Sequence, residues 1–239
     1  MSLNEKWLDV IPSMISACSR HGGRDEEFEK IIMQSPSGAA DYAYRIIRGR
    51  WEEAESIIAS NPEAAGNYAR NVVHGRWEMG EDVIASDANT AFQYAKFVLR
   101  GRFEKGEEAI ATNASLSVHY TKDILKGRFI LGEPSIAALE TNSGNESIVK
   151  NYYEMVIKNP NDWASWTTDQ LKHSPCWMYM YAKEYIKSRL PDVLHNHMNI
   201  FAMTIPNNYW VKRYFKAKKY SKKIKRRKKN ESIDNQGVV

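Results

Sequence analysis

Cysteine is scarce. Only Cys18 and Cys176 occur in 239 residues, and neither belongs to a CxxC or Cys/His spacing, which argues against a disulfide framework and a structural zinc site. No apolar run approaches the roughly 18 to 20 residues of a membrane span. The opening "MSLNEKWLDVIPSM" places charges where a signal peptide needs an apolar core. A Gly-rich phosphate loop, an HExxH signature and a nucleophile, base and orienter set are all missing. The letters His195-Asn196-His197 spell the name of a nuclease motif. That motif needs a ββα framework, and side chains two apart on a helix diverge. His21, His74, His119 and His173 keep no regular spacing with acids or cysteines. No metal, no cofactor and no enzymatic activity are expected.

Charge is present but unevenly placed. The chain has 34 Lys+Arg against 29 Asp+Glu, and twelve of the basic residues fall between Lys212 and Lys229, where no acid occurs. Residues 1–206 keep 22 basic and 27 acidic groups, a net charge of about −5. A mildly acidic body with a strongly basic tail points to a polyanionic partner for the tail.

What the sequence has in abundance is one phrase, repeated. Gly49-Arg50-Trp51, Gly75-Arg76-Trp77, Gly101-Arg102-Phe103 and Gly127-Arg128-Phe129 stand 26 residues apart. Tyr42, Tyr68, Tyr94 and Tyr120 keep that interval, as do Glu55, Glu81, Glu107 and Glu133. Gly23-Arg24 followed by "DEEFEKII" is a degenerate earlier copy, and Tyr152 and Tyr181 open degenerate later ones. The best copies span 38–141, with degenerate ones over 12–37 and 146–206, about seven in all.

Each copy reads as two short helices. Tyr42, Ala43, Ile46 and Ile47 make an apolar stripe of helical period. Gly49 and its counterparts stand where the chain is expected to turn left-handed and leave the helix. The aromatic opens a second helix, in which Ala54, Gly80, Gly106 and Gly132 keep one site small and Ile58, Ile84, Ile110 and Ile136 keep another large. Asn61, Asp87 and Asn113 suit the N-cap of the next helix, with Pro62 at its first position. Pro134 requires its helix to begin within a turn of it. A unit this small cannot bury its own apolar face, so the expected fold is all-α, an α-solenoid of stacked hairpins over residues 1–206 followed by a tail over 207–239.

The phrase Tyr-Ala-x-x-Val/Ile-Ile/Leu-x-Gly-Arg-Trp/Phe-x-x-Gly/Ala-Glu-x-x-Ile resembles a tandem repeat found in proteins of tailed bacteriophages and some bacteria. Copies in that family often carry proline after the aromatic, where this chain has Glu52, Glu78, Glu104 and Ile130. The resemblance covers about residues 38–140 and implies a phage or bacterial helical-repeat protein of undefined activity. It supplies no catalytic residues. From the charged N-terminus and the lack of a long apolar run a cytoplasmic protein is expected (host cytoplasm for a phage protein), with the virion as the alternative.

Two readings stand for the arginine column Arg50, Arg76, Arg102 and Arg128. Planar guanidinium forks at one height could grip phosphates or carboxylates of a ligand. Alternatively each pairs with the Glu five residues later, its stem covering the aromatic. The tyrosine column is expected to fill the core with its hydroxyl bonded, a base-stacking ladder being the alternative. Trp163, Trp166, Trp177, Tyr179, Tyr181 and Tyr185 read as an end cap of the stack or as an exposed patch for a protein partner.

In "NNYWVKRYFKAKKYSKKIKRRKKN" the spacing of Trp210, Tyr214, Ala217, Ser221 and Ile224 predicts a basic helix docking its aromatic side as far as Tyr220, and disorder beyond Lys222. Lys212, Arg213, Lys216, Lys218, Lys219, Lys222, Lys223, Lys225, Arg226, Arg227, Lys228 and Lys229 are the expected phosphate contacts, with Trp210 and Tyr214 as stacking rings. Anionic lipid, a nuclear import receptor, or no ligand at all are other readings of such a run; without an apolar face or lipidation motif, membrane binding is not expected. The leading expectation is a non-enzymatic helical-repeat protein, a phage accessory or regulatory factor, that binds DNA or RNA through the tail and a protein through the solenoid. A virion-associated protein-interaction repeat and a small-ligand or nucleotide sponge are the alternatives.

Overall fold

The computed structural model describes residues 9–143, 146–158 and 160–217. Among them every regular element is helical, and short helices follow one another in tandem. They form two compact units, Met1–Leu125 and Lys126–Val239.

The first unit opens with α1 (Ile11–His21) and α2 (Glu26–Ile32) and continues in hairpins. Its first helices are α3 (Pro36–Tyr42), α5 (Pro62–Tyr68), α7 (Ala88–Gln93) and α9 (Ala114–Tyr120). Its second helices are α4 (Glu55–Ile58), α6 (Glu78–Ala85) and α8 (Glu107–Ala111). Ser35, Asn61, Asp87 and Asn113 cap the first helices, each side-chain oxygen accepting the N–H three residues on. Tyr42, Tyr68, Tyr94 and Tyr120 are buried together with Ile58, Ile84 and Ile110, so the repeated apolar positions are the core of the stack. The small site works as a close approach: a Cβ on Gly106 would lie 2.6 Å from Phe103 Cδ1 and 2.7 Å from Ala91 Cβ on α7.

The exit from the first helix differs from the expectation. α3 and α5 each widen into a π-helical turn, Ala43–Ile47 and Ala69–Val73, and the left-handed residue is the one before the glycine. Arg48, His74 and Arg100 in this unit, and Lys126 and Lys187 in the other, all have φ between 48° and 56°. Gly49 and Gly75 have open space where a Cβ would be. The amides of Arg48 and Gly49 both point to the Ala43 carbonyl, so the helix ends one residue earlier than the glycine marks. Among the described residues the five left-handed ones other than Gly22 are all basic or imidazole side chains, placed where the negative end of the helix dipole favours a cation.

The second unit contains α10 (Glu133–Ser143), α11 (Glu146–Val156), α12 (Thr168–Leu171), α13 (Pro175–Met180), α14 (Asp192–Thr204) and α15 (Tyr209–Lys216). Pro134 is the second residue of α10, behind a 3-10 turn at Ile130–Gly132, as its missing N–H requires. Trp163 and Trp177 are fully buried, with Trp166 and Tyr179 nearly so, and the rings of Trp163 and Trp166 and of Trp166 and Trp177 lie 5.4 and 5.0 Å apart. These aromatics are core; of the set, Tyr185 is exposed. α15 docks Trp210, Val211 and Tyr214 against α13 and α14, although it lies past the expected end of the repeats at residue 206.

Candidate functional site

The arginine column is bound to the glutamate column. Arg50 donates from Nε and Nη2 to the two oxygens of Glu55 at 2.7 and 2.8 Å, and Arg102 does the same to Glu107 at 2.6 and 2.9 Å. Arg76 Nη2 donates to Glu81 at 3.1 Å, with Nε 2.7 Å from the other oxygen. Arg128 pairs with Glu133 at 2.8 and 2.7 Å, and Arg24 with Glu29 at 2.7 and 2.9 Å. A planar fork facing a carboxylate is the strongest geometry such a pair adopts. It occupies the Nε–Nη2 edge of each guanidinium, while the side chains of Arg50, Arg76 and Arg102 stay 51%, 59% and 56% exposed.

The tyrosine column completes the arrangement from the following hairpin. Tyr68 donates its hydroxyl to Glu55 at 2.9 Å and accepts the Trp51 N–H at 2.9 Å. Tyr42 does this with Glu29 and the Asp25 N–H, Tyr94 with Glu81 and Trp77, and Tyr120 with Glu107 and Phe103. In the second unit Tyr152 takes the same place on Glu133 and Phe129. The rings of Tyr42, Tyr68 and Tyr94 meanwhile pack on the aromatics of their own hairpins, Trp51, Trp77 and Phe103, at 5.1, 4.9 and 5.0 Å. One tyrosine therefore ties two consecutive hairpins: the ring packs in one and the hydroxyl reaches back to the other.

The electrostatics follow from burial. Glu55 is 3% exposed, and its fork to Arg50, with the Tyr68 hydroxyl, holds its carboxyl below the usual range despite burial. Glu29 is lowered by Arg24 in the same way. Tyr68 is pushed up to about 12, first by burial, so its hydroxyl stays a donor. A carboxylate that is buried, forked and hydrogen-bonded has no position left for general acid or base work. The column is a clamp between repeats.

The last copy alters the clamp. Tyr214, on α15, accepts the Leu190 N–H at 3.2 Å and meets His195 Nδ1 at 2.8 Å, so an imidazole stands where the other copies have a carboxylate. With Nδ1 unprotonated, the Tyr214 hydroxyl donates to it as its counterparts donate to glutamate. Arg189 turns instead to Asp192 at 2.7 Å. The sequence signal for this site was the His at the glutamate column, one residue out of register.

These contacts decide how the basic segment is presented. Trp210 and Tyr214 are 6% and 0% exposed, because their apolar bodies seat α15; neither offers a ring to a base, which corrects the expectation for both. Lys212, Arg213 and Lys216 lie on the opposite, exposed side of that helix, together with Tyr209. The helix ends at Lys216, short of the expected Tyr220. Lys218, Lys219, Lys222, Lys223, Lys225, Arg226, Arg227, Lys228 and Lys229 lie outside the described residues.

On the first unit, furrows run between successive first helices. One of about 540 Å³ is lined by Asn67, Arg70, Asn89 and Gln93 among others, and one of about 460 Å³ by Tyr44, Arg45, Arg48, Asn71 and His74. Their linings are mixed: Glu63 and Asp87 also line the first, and Ser19, Gly49 and Val72 the second. Among the described residues no group of three or more His, Cys, Asp or Glu could hold a metal ion, and no helix is long and apolar enough to cross a membrane. Cys18 and Cys176 are both buried thiols. Comparison of the chain with protein-family models, with curated proteins and with solved structures finds no match.

Proposed function

We propose that this is a non-enzymatic helical-repeat protein that holds DNA or RNA, without sequence preference, at its basic C-terminal end, and that acts as a phage accessory or regulatory factor. The observation that carries the reading is the seating of α15. Its buried side is fixed by Trp210, Val211 and Tyr214, so Lys212, Arg213 and Lys216 are held outward immediately before a run of nine more basic residues. Such a density of cations neutralises phosphates and releases their counterions, which gives affinity without reading bases. The acidic body keeps the polyanion at that end.

Removal of residues 217–239 takes no residue from any described helix and tests this directly. The shortened protein should melt as the full chain does and lose retention on immobilised DNA and RNA. Retention unchanged by the deletion, or none in the full chain, counts against the proposal. A protein-interaction repeat without a nucleic-acid role is the second reading, favoured by the amide-lined furrows between the first helices, which suit the backbone of an extended peptide.

A further inference from the structure

Helix α15 carries more than charge on its outer side. Tyr209, Lys212, Arg213 and Lys216 occupy i, i+3, i+4 and i+7, one face of the helix, opposite the buried Trp210, Val211 and Tyr214. That face contains no acid and spans about 10 Å along the axis. Its aromatic member is held in place: the Arg213 guanidinium lies 5.3 Å from the Tyr209 ring centroid and donates to its hydroxyl, and the ring meets Trp210 edge-on at 4.8 Å. Arg213 is itself anchored over Tyr179, 6.0 Å from that centroid. Even so, Tyr209 remains 45% exposed.

A braced aromatic ring set into a row of cations has a specific use. A duplex presents phosphates on its outside and keeps its bases stacked within, so an exposed ring beside it contributes nothing. A single strand offers unstacked base faces, and a ring whose conformation is already fixed stacks on one with little ordering cost. Resting on the proposed nucleic-acid role of the tail, we infer that the ligand is single-stranded nucleic acid, with a base lying on Tyr209 and flanking phosphates on Lys212 and Lys216. Arg213 acts as a positioning residue, fixing the ring rather than taking the base.

Fluorescence anisotropy with the full chain tests this, using labelled oligothymidylate and oligouridylate of about 12 nucleotides, a duplex of the same length, and phosphatidylserine vesicles. Single strands should bind more tightly than the duplex. Tyr209→Ala should weaken single-strand binding by about fivefold to a hundredfold and leave duplex binding unchanged, while Tyr209→Phe, which keeps the ring, should bind as the parent does. Equal affinity for single strand and duplex, with Tyr209→Ala silent, overturns the inference and leaves the phosphate-binding proposal standing. An equal loss on both ligands in Tyr209→Ala likewise overturns it, because the residue then serves only to seat the helix. Binding to vesicles with none to any oligonucleotide overturns both.

Discussion

At the scale of single residues, the tyrosine hydroxyl is the group whose role extends furthest. The Tyr68 oxygen accepts a buried backbone N–H and donates to a buried carboxylate at the same time. Tyr68→Phe keeps the ring and strands both partners, so it should cost about 1–3 kcal/mol, read as a lower denaturation midpoint with an unchanged slope. His195 gives the terminal copy a different response to pH. Burial lowers its pKa, the Arg189 charge adds to this and Asp192 opposes it, while Tyr214 and Phe215 face it from α15. An imidazole depressed in the fold stays neutral there while the unfolded chain takes up a proton near the ordinary value of about 6.5. The stability it contributes is therefore present above that pH and falls as the medium is acidified through it. Thermal unfolding followed from pH 8 down to 5 should show a decline that His195→Gln removes; an identical decline in the variant would exclude His195 as its source.

The helical elements show how much the sequence discloses and where it stops. The 26-residue interval, the caps at Asn61, Asp87 and Asn113, and the pairing of Arg50 with Glu55 were all readable, because each is local and each repeats. The reach of Tyr68 back to Glu55 was not readable, since thirteen residues and a turn separate them and periodicity does not say which hairpin a hydroxyl faces. The inward turn of Trp210 and Tyr214 was readable from their helical spacing, but the same two rings also stood as base-stacking candidates, because a stripe of aromatics and cations fits a docked helix and a stacking platform equally well until something is seen to cover it. The helix exit misled because glycine marks the turn without being the residue that makes it. Arg100 has φ 51°, and its amide already closes on Ala95. A non-glycine side chain there is strained, so Arg100→Gly should stabilise the first unit by about 0.5–1 kcal/mol; a lower melting temperature would show that the arginine side chain contributes more than its backbone costs.

For the whole molecule, the division of charge joins the architecture to the proposed role. The repeats pair most of their conspicuous arginines internally, and cations in excess gather at the C-terminal end, where one docked helix presents the first of them. Binding of this kind is governed by counterion release, and its salt dependence counts the phosphates engaged. The most direct test is the affinity of the full chain for a single-stranded oligonucleotide between about 50 and 200 mM salt. If six or more phosphates are held, affinity should fall by on the order of several hundredfold over that range, with a straight line in log–log form. An affinity that stays flat across it would contradict the account.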